Sequence, residues 1–394
     1  MSTPRVLLAG GGTAGHVNPL LATAHALQAL PGGAQVAALG TESGLEARLV
    51  PAAGLPLHLV PRVPLPRRPS ADLLKLPVHL WRAVAAADAA LRRTGADVVV
   101  GFGGYVATPA YLAARRRGVP VVVHEQNALP GLANKVGARL AAAVALTFES
   151  TPLRAARGRT VTTGLPLRAP IAELATRRAA GPESSAEARA QATAELGLDP
   201  ERVTVLVTGG SLGAQRLNET MAAAAREVLG TGAQVLHLTG TGKDAHVRAA
   251  LESPDDTSVT GVRRYHVAEY QDRMELAYAA ADVVVCRAGA GTVAEVAALG
   301  LPALFVPLPI GNGEQARNAA DVVAAGGALL VADEAFTPAA VHRDLLPLLA
   351  DPARLAEMGR RAAGTGPADG ADRLARLVLE VVDEARAAGA KGKR

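Results

Sequence analysis

Cysteine, aromatic side chains and long apolar runs are all scarce in this chain of 394 residues. Cys286 is the sole cysteine, which excludes an intramolecular disulfide and a thiolate metal cage, so a reducing, cytoplasmic setting is expected. Aromatic residues make up 3% of the chain, too few for an evident base-stacking surface, and no nucleic-acid partner is expected. No apolar run reaches the length of a membrane-spanning helix, and the N-terminus lacks the basic, apolar and small-residue succession of a signal peptide. Gly-Lys-Ser/Thr does not follow the first glycine cluster, which excludes a Walker-type phosphate loop.

What is present is a hydrophobic content of 49%, enough for two separate cores, and a formal net charge of +5. That charge suits an anionic ligand, an anionic lipid surface or nucleic acid, and does not choose among them. Strand-like runs alternate with helical spacing at Val6 to Ala9, Val36 to Leu39, Leu57 to Val60, Val98 to Gly101, Val121 to His124 and Val144 to Thr147. The pattern lapses into a polar, alanine-rich stretch from 169 to 202. It resumes at Val203 to Val207, Val235 to Leu238, Val283 to Val285, Ala303 to Val306 and Leu329 to Val331. The expectation is α/β, with two Rossmann-like domains: residues 1–168, a linker at 169–202, a second domain at 203–370, and a C-terminal helix and basic tail at 371–394. Ligands of open α/β sheets sit beyond the carboxyl ends of the strands, so two such domains facing across a cleft would place their glycine loops there.

The first loop reads "RVLLAGGGTAGHVNPLLATAHAL", a strand, a glycine turn and a helix. Exposed N–H groups at a helix start favour an anion, and glycine permits close approach to the backbone. Gly10, Gly12 and Gly15 also satisfy a dinucleotide fingerprint, and such turns occur without any ligand. His16 is the unusual feature, since a dinucleotide loop needs no base at that point; a packed or capping histidine is the plain alternative. A dehydrogenase reading would use Glu42 as the ribose acid and leaves the second glycine domain unexplained. A nonenzymatic nucleotide-binding protein would not require His16, Asn127 and Gln315 to converge.

Five ordered segments carry more specific information: "GGTAGH" at 11–16, "GFGGYVATPAYLAA" at 101–114, "HEQNALPGLANK" at 124–135, "TGGSLGAQRLN" at 208–218, and "CRAGAGTVAEVAALGLPALFVPLP" from 286 with "NGEQARNA" after it. With these the chain resembles the MurG family of glycosyltransferases over nearly its whole length. The resemblance implies the GT-B fold, UDP-N-acetylglucosamine as donor, and lipid I, undecaprenyl-pyrophosphoryl-muramoyl-pentapeptide, as acceptor. The product would be lipid II, made by a single inverting displacement at the cytoplasmic face of the cell membrane. A soluble glycosyltransferase of the same fold, or a UDP-N-acetylglucosamine epimerase, is the rival; "HEQN" and "TGGSLGAQRLN" favour the lipid I enzyme.

Carried over by motif, Gly209, Gly210, Ser211 and Gly213 look like the diphosphate cradle, with an ordinary helix N-cap as the alternative for Ser211. Arg168 matches an arginine that meets the donor, although Leu165 stands where the family has asparagine. Ala290, Gly291 and Thr292 belong to the turn before Glu295, whose carboxylate would accept the ribose hydroxyls; a dipole-stabilised acid at a helix start is its alternative. Gln315 matches the second of two sugar-contacting glutamines, with Glu314 replacing the first, and Gln271 occupies the position whose backbone meets uracil. Thr13, Ala14 and Gly15 would present backbone to the donor sugar and the acceptor pyrophosphate, and Asn127 matches a sugar contact. His16 is the general-base candidate, competing with a purely positioning role, and Glu125, placed with His124 on the same turn, is the second candidate.

No Asp-x-Asp pair accompanies the glycine loops, and "SPDDTS" at 253–258 reads as a solvated turn. No divalent metal is therefore expected, the loop amides, helix dipole and Arg168 stabilising the departing UDP instead. For the membrane surface, the stretch from Pro66 offers Leu73, Leu74, Leu76, Leu80 and Trp81 edged by Arg67, Arg68, Lys75 and Arg82. A buried helix with a basic rim is the alternative, and Pro77 speaks against one continuous helix.

Overall fold

The computed structural model describes residues 2–63, 72–210, 214–252, 264–310 and 312–391, with the side chains of 72–75 and 390–391 outside the description. The chain divides into two compact units, one of Met1–Arg168 with Asp369–Arg394 and one of Ala169–Ala368.

In the first unit seven parallel strands are described: β1 (Arg5–Gly10), β2 (Gln35–Gly40), β3 (Leu57–Leu59), β4 (Val98–Gly103), β5 (Val121–Glu125), β6 (Ala143–Leu146) and β7 (Arg159–Thr162). They lie in the order β3-β2-β1-β4-β5-β6-β7. Alternation along β1 sends Leu7 and Ala9 into one core and Val6 and Leu8 into another, as a sheet covered on both faces requires. The helices Asp72–Thr94 and Ala107–Arg117 close the first core through Val84, Leu91, Ala110 and Tyr111. Helix Ala14–Ala29 closes the second through Leu20 and Leu27.

The C-terminal helix Gly370–Lys391 completes that second core, which corrects its expected placement as a segment apart. Leu374, Leu377, Val378, Val381 and Val382 recur at helical spacing and are all buried, so one stripe is spent on the first unit. Arg159 pairs with Glu380 and Glu384 along its flank. The basic tail beyond Lys391 lies outside the described residues.

The second unit repeats the plan with β8 (Thr204–Thr208), β9 (Gln234–Leu238), β10 (Tyr265–Ala268), β11 (Val283–Cys286), β12 (Ala303–Phe305) and β13 (Ala328–Leu330), ordered β10-β9-β8-β11-β12-β13 and all parallel. The expected linker at 169–202 is a correction: it forms the helices Ala169–Ala179 and Pro182–Leu196 and belongs to this unit. Two arginines explain the attachment. Arg178 donates to the carbonyls of Leu299 (3.0 Å) and Tyr278 (2.8 Å), and Arg189 donates to those of Ala280 (2.8 Å) and Arg202 (2.7 Å) while pairing with Asp282. Burial lowers the Arg178 guanidinium to about 10.

In each sheet the strand order reverses direction once, between β1 and β4 and between β8 and β11. At such a switch point the loops leaving the carboxyl ends diverge and leave a crevice for a ligand. The loops concerned follow Gly10, Gly103, Thr208 and Cys286, which are four of the five segments singled out in the sequence.

Candidate active site

His16 occupies the first turn of helix Ala14–Ala29, directly after the glycine loop, and is half-buried. Its Nδ1 lies 3.2 Å from the carbonyl oxygen of Gly11 and 3.2 Å from Oγ1 of Thr13. A carbonyl only accepts, so the neutral ring carries its proton on Nδ1 and leaves the lone pair on Nε2. Burial lowers the pKa of the ring below the ordinary histidine value, partly offset by the Gly11 carbonyl and by the charge of Glu46, so the imidazole is neutral near pH 7. Thr13, Ala14 and Gly15 are exposed beside it, and the Thr13 carbonyl accepts the N–H groups of His16 and Val17 at 3.1 Å.

Across from this loop, Gly103 and Gly104 carry φ of +95° and +77°, a left-handed backbone that glycine adopts without cost. A side-chain carbon built on Gly103 would lie 3.2 Å from Nε2 of His16 and 3.5 Å from Nδ2 of Asn134, and one on Gly104 would press on the Gly11 carbonyl at 2.7 Å. These glycines let the β4 loop close over the histidine.

Asn134 links this point to the third loop. It donates to the carbonyl of His124 and to Oε2 of Glu125, both at 3.0 Å, and accepts from the hydroxyl of Tyr111 at 2.9 Å. Glu125 is 2% exposed and also accepts the N–H groups of Asn127 (2.9 Å) and Gly131 (3.0 Å). Burial raises its pKa, against the lowering effect of these donors. His124 and Glu125 stand on β5, a correction to the expected turn. His124 is fully buried, donates from Nε2 to the Gly164 carbonyl at 3.1 Å, and is lowered to about 4 by desolvation. The strand end thus supports the loop, and Asn127, half-buried at its tip, is held by its own N–H and by Thr151, which donates to its carbonyl.

In the second unit, Gly210 follows β8 with φ +81°, while Ser211 and Gly213 lie outside the described residues. Helix Ala290–Ala298 begins with Ala290, Gly291 and Thr292, all half-buried. Glu295 sits in its second turn rather than at its start, and its Oε2 accepts the hydroxyl of buried Tyr278 at 3.0 Å. Gln315 uses its side-chain carbonyl to accept the N–H groups of Ala288 (3.2 Å) and Leu308 (2.9 Å), tying the loop after β11 to the loop after β12. Its amide N–H₂ is the end left to donate. Gln271 accepts the N–H of Arg273 through its side chain at 3.1 Å, and Arg168 is the last, half-buried residue of the first unit before the chain crosses.

Two groups of the site carry no signal of their own in the sequence. Asn218 closes the segment "TGGSLGAQRLN" without a role there; its Oδ1 accepts Nε2–H of His237 at 3.0 Å, and Tyr265 donates to Nδ1 of that ring at 2.9 Å, bracing helix Gln215–Ala223 behind the glycine loop. Glu46 is one acid among others in "TESGLEA", and nothing local marks it. It is 0% exposed and bonded to the first glycine loop.

Residues 6–146 match the glycosyltransferase family 28 N-terminal domain, and residues 204–374 match the C-terminal domain of that family. The chain is 55% identical, over 96% of its length and 98% of the relative's, to the UDP-N-acetylglucosamine N-acetylmuramyl-(pentapeptide) pyrophosphoryl-undecaprenol N-acetylglucosamine transferase of a Nocardioides species. Among solved structures, MurG of Acinetobacter baumannii is 30% identical with a TM-score of 0.75, covering 96% of this chain and 99% of that one. A UDP-GlcNAc 2-epimerase of Neisseria meningitidis, 14% identical with a TM-score of 0.65 and covering 96% of this chain and 100% of its own, shares the fold alone. Two Rossmann-like sheets, the glycine loops at their switch points and both halves of the family pattern lead to one conclusion: the chain belongs to glycosyltransferase family 28.

Proposed function

We propose that the protein transfers N-acetylglucosamine from UDP-N-acetylglucosamine to the C4 hydroxyl of the muramoyl sugar of lipid I, giving lipid II with inversion at the anomeric carbon. The observation that carries this reading is the tautomer of His16: Nδ1–H is spent on the Gly11 carbonyl, which leaves the lone pair on Nε2, the ring atom beside Gly103 of the β4 loop, as a neutral base. In the reaction Nε2 takes the proton of the attacking hydroxyl while the C4 oxygen bonds to the anomeric carbon and UDP leaves with the bonding electrons. Backbone N–H groups around Thr13, Ala14 and Gly15 meet the acceptor pyrophosphate. Glu125, with both oxygens engaged by its own loop, serves by shaping the acceptor side and holding Asn127.

UDP is held by the second unit. Gly210 and Ser211 cradle the diphosphate, the start of helix Ala290–Ala298 and Glu295 meet the nucleoside end, the Gln271 backbone meets uracil, and the Gln315 amide donates to the sugar; Arg168, the residue of the first unit from which the chain enters the second, offsets the charge of the leaving group.

The acceptor is reached from the cytoplasmic face of the membrane. Among the described residues no helix is long and apolar enough to cross a bilayer. Helix Asp72–Thr94 runs through Pro77, near enough to its start that few helix bonds are disturbed, and turns Leu80, Ala83 and Val84 toward the core. Leu80 is thereby removed from the apolar face expected from the sequence. The opposite side exposes Trp81 (66%), Val78 (52%) and Arg82, which supports peripheral attachment. Arg67, Arg68 and the side chains of Leu73, Leu74 and Lys75 lie outside the described residues.

The deciding experiment is transfer of radiolabelled N-acetylglucosamine to a short-chain lipid I analogue, with and without chelator. Transfer that survives chelation supports both the activity and a metal-free departure of UDP; epimerisation of the donor with no transfer would overturn the reading.

A further inference from the structure

Glu46 is a fully buried carboxylate for which neither the fold nor the reaction described above has yet required a charge. Its Oε2 accepts the N–H of Gly12 at 2.8 Å, and its Oε1 accepts both the N–H (2.9 Å) and the hydroxyl (2.8 Å) of Thr41. Glycines surround it on three sides. A side-chain carbon on Gly11 would come within 2.3 Å of Oε1, one on Gly44 within 2.1 Å of Oε2, and one on Gly40 within 2.5 Å of Cγ. The chain has therefore left room for this carboxylate directly beneath the loop that supplies the Gly11 carbonyl to His16.

We propose that Glu46 is a positioning residue for the transfer reaction: it fixes the turn at Gly11 and Gly12, and through the Gly11 carbonyl it holds the His16 ring with Nε2 toward the acceptor hydroxyl. The proposal rests on His16 acting as the base. It adds an electrostatic role as well, because a carboxylate beneath the loop stabilises the imidazolium formed when Nε2 takes the proton. Burial alone would raise the Glu46 pKa, but the donors from Gly12 and Thr41 outweigh it and the group titrates below the ordinary glutamate value, so it remains an anion. Its charge favours the protonated form of His16; Gly11, Thr13 and Gly103, which also face the ring, carry no charge.

The test compares Glu46→Gln, Thr41→Val and His16→Ala in the lipid I analogue assay, with kcat, KM and the pH profile of kcat/KM measured alongside UDP affinity by calorimetry. Either orientation of the introduced side-chain amide sets an N–H₂ against a backbone N–H, that of Gly12 or that of Thr41, which loosens the loop. Glu46→Gln is expected to lower kcat about 10- to 100-fold, the scale of a misplaced catalytic group, with UDP affinity unchanged. The acid limb of the profile should move to lower pH, since the lost negative charge no longer favours the imidazolium. Thr41→Val removes one donor and keeps the carboxylate, so it should lower kcat by less while leaving the acid limb in place or moving it to higher pH, the opposite of Glu46→Gln, and it carries the test if Glu46→Gln does not fold. A folded Glu46→Gln with normal turnover and an unmoved acid limb overturns the proposal, as does a slower enzyme whose acid limb has not moved, because a merely structural residue would do that. If Glu46→Gln is unfolded, Thr41→Val at the wild-type rate, or with its acid limb moved to lower pH, overturns it. His16→Ala with full turnover would remove the base reading and the proposal together, whereas a defective His16→Ala beside a normal Glu46→Gln removes only the role of Glu46.

Discussion

Nδ1 of His16 lies 3.2 Å from the carbonyl oxygen of Gly11, and this contact decides which nitrogen of the ring is free to accept a proton. Replacing His16 by alanine is expected to lower kcat by about 10²- to 10⁴-fold, the usual contribution of general-base catalysis, with little change in UDP affinity. Steady-state kinetics and calorimetry on the same preparation check both, and a loss confined to the acceptor KM would make His16 a binding residue instead. The same ring sets the pH dependence of the wild-type enzyme. Its pKa is held below the ordinary histidine value, chiefly by burial, and the base must be unprotonated to act. The rate is therefore expected to fall with decreasing pH only below about 6.5, the unperturbed value. A kcat/KM profile losing half its height well above that point would contradict the assignment.

Gln315 joins two loops with one oxygen, so two substitutions separate its roles. Gln315→Ala leaves two N–H groups without their partner and should weaken donor binding by about 1–3 kcal/mol, roughly 5- to 150-fold. Gln315→Glu keeps an acceptor for Ala288 and Leu308 but cannot donate to a sugar. Its loops should hold UDP normally while the KM for UDP-N-acetylglucosamine rises; equal losses for both ligands would limit Gln315 to an architectural role.

A fragment spanning Ala169–Ala368 is expected to fold and to keep UDP affinity. One beginning at Arg202 lacks Arg178, Arg189 and the buried Ile171 and Leu174, and should lose several kcal/mol at about 1.5–3 per buried Ile or Leu. Urea melts and UDP calorimetry on the two fragments distinguish a linker from an integral part of the second unit.

Acid should weaken the fold before it protonates the ordinary carboxylates. His124 and His237 are buried and neutral, lowered to about 4 and about 3 by desolvation. Their contribution is fully present above the unfolded value of about 6.5 and is lost as pH falls toward those folded values, because the unfolded chain binds the protons first. His237→Gln, which can still accept from Tyr265 and donate to Asn218, should flatten the slope of stability against pH by up to about 1.4 kcal/mol per pH unit. Urea midpoints between pH 7 and pH 5 provide the measurement.

Exposed Trp81 and Val78 should govern attachment to lipid. Changing both to serine is expected to reduce partition onto anionic vesicles about tenfold or more, given roughly 1.5–3 kcal/mol per large apolar side chain, with UDP affinity intact. An unchanged partition coefficient would assign the helix to the core alone.

Much of this can be read directly along the chain. The expected strands in each half coincide with β1 to β6 and with β8, β9, β11, β12 and β13 to within a residue or two. β7, reading "RTVT", and β10, reading "YHVA", escape such a reading because polar residues interrupt them and neither carries two adjacent branched aliphatic side chains, as their half-solvated edge positions allow. The helices at 169–196 read as a linker because alanine-rich amphipathic helices with few large apolar residues look polar, and what binds them to the second unit is guanidinium bonding to distant carbonyls.

Glycine loops, helix starts and the place of His16 are local facts, written in periodicities of two and 3.6 residues and in the few residues able to make a tight turn. The partnerships that make those loops a site are not local. Glu46 beneath Gly11, Asn134 between Gly103 and Glu125, Gln315 between Ala288 and Leu308, and the last helix on the first unit each join residues of different elements or loops, beyond the reach of a single turn. They follow from the parallel strand order of each sheet, which sets the loops at the carboxyl ends of neighbouring strands side by side. A buried polar group must then find its partners among whatever that order has set beside it.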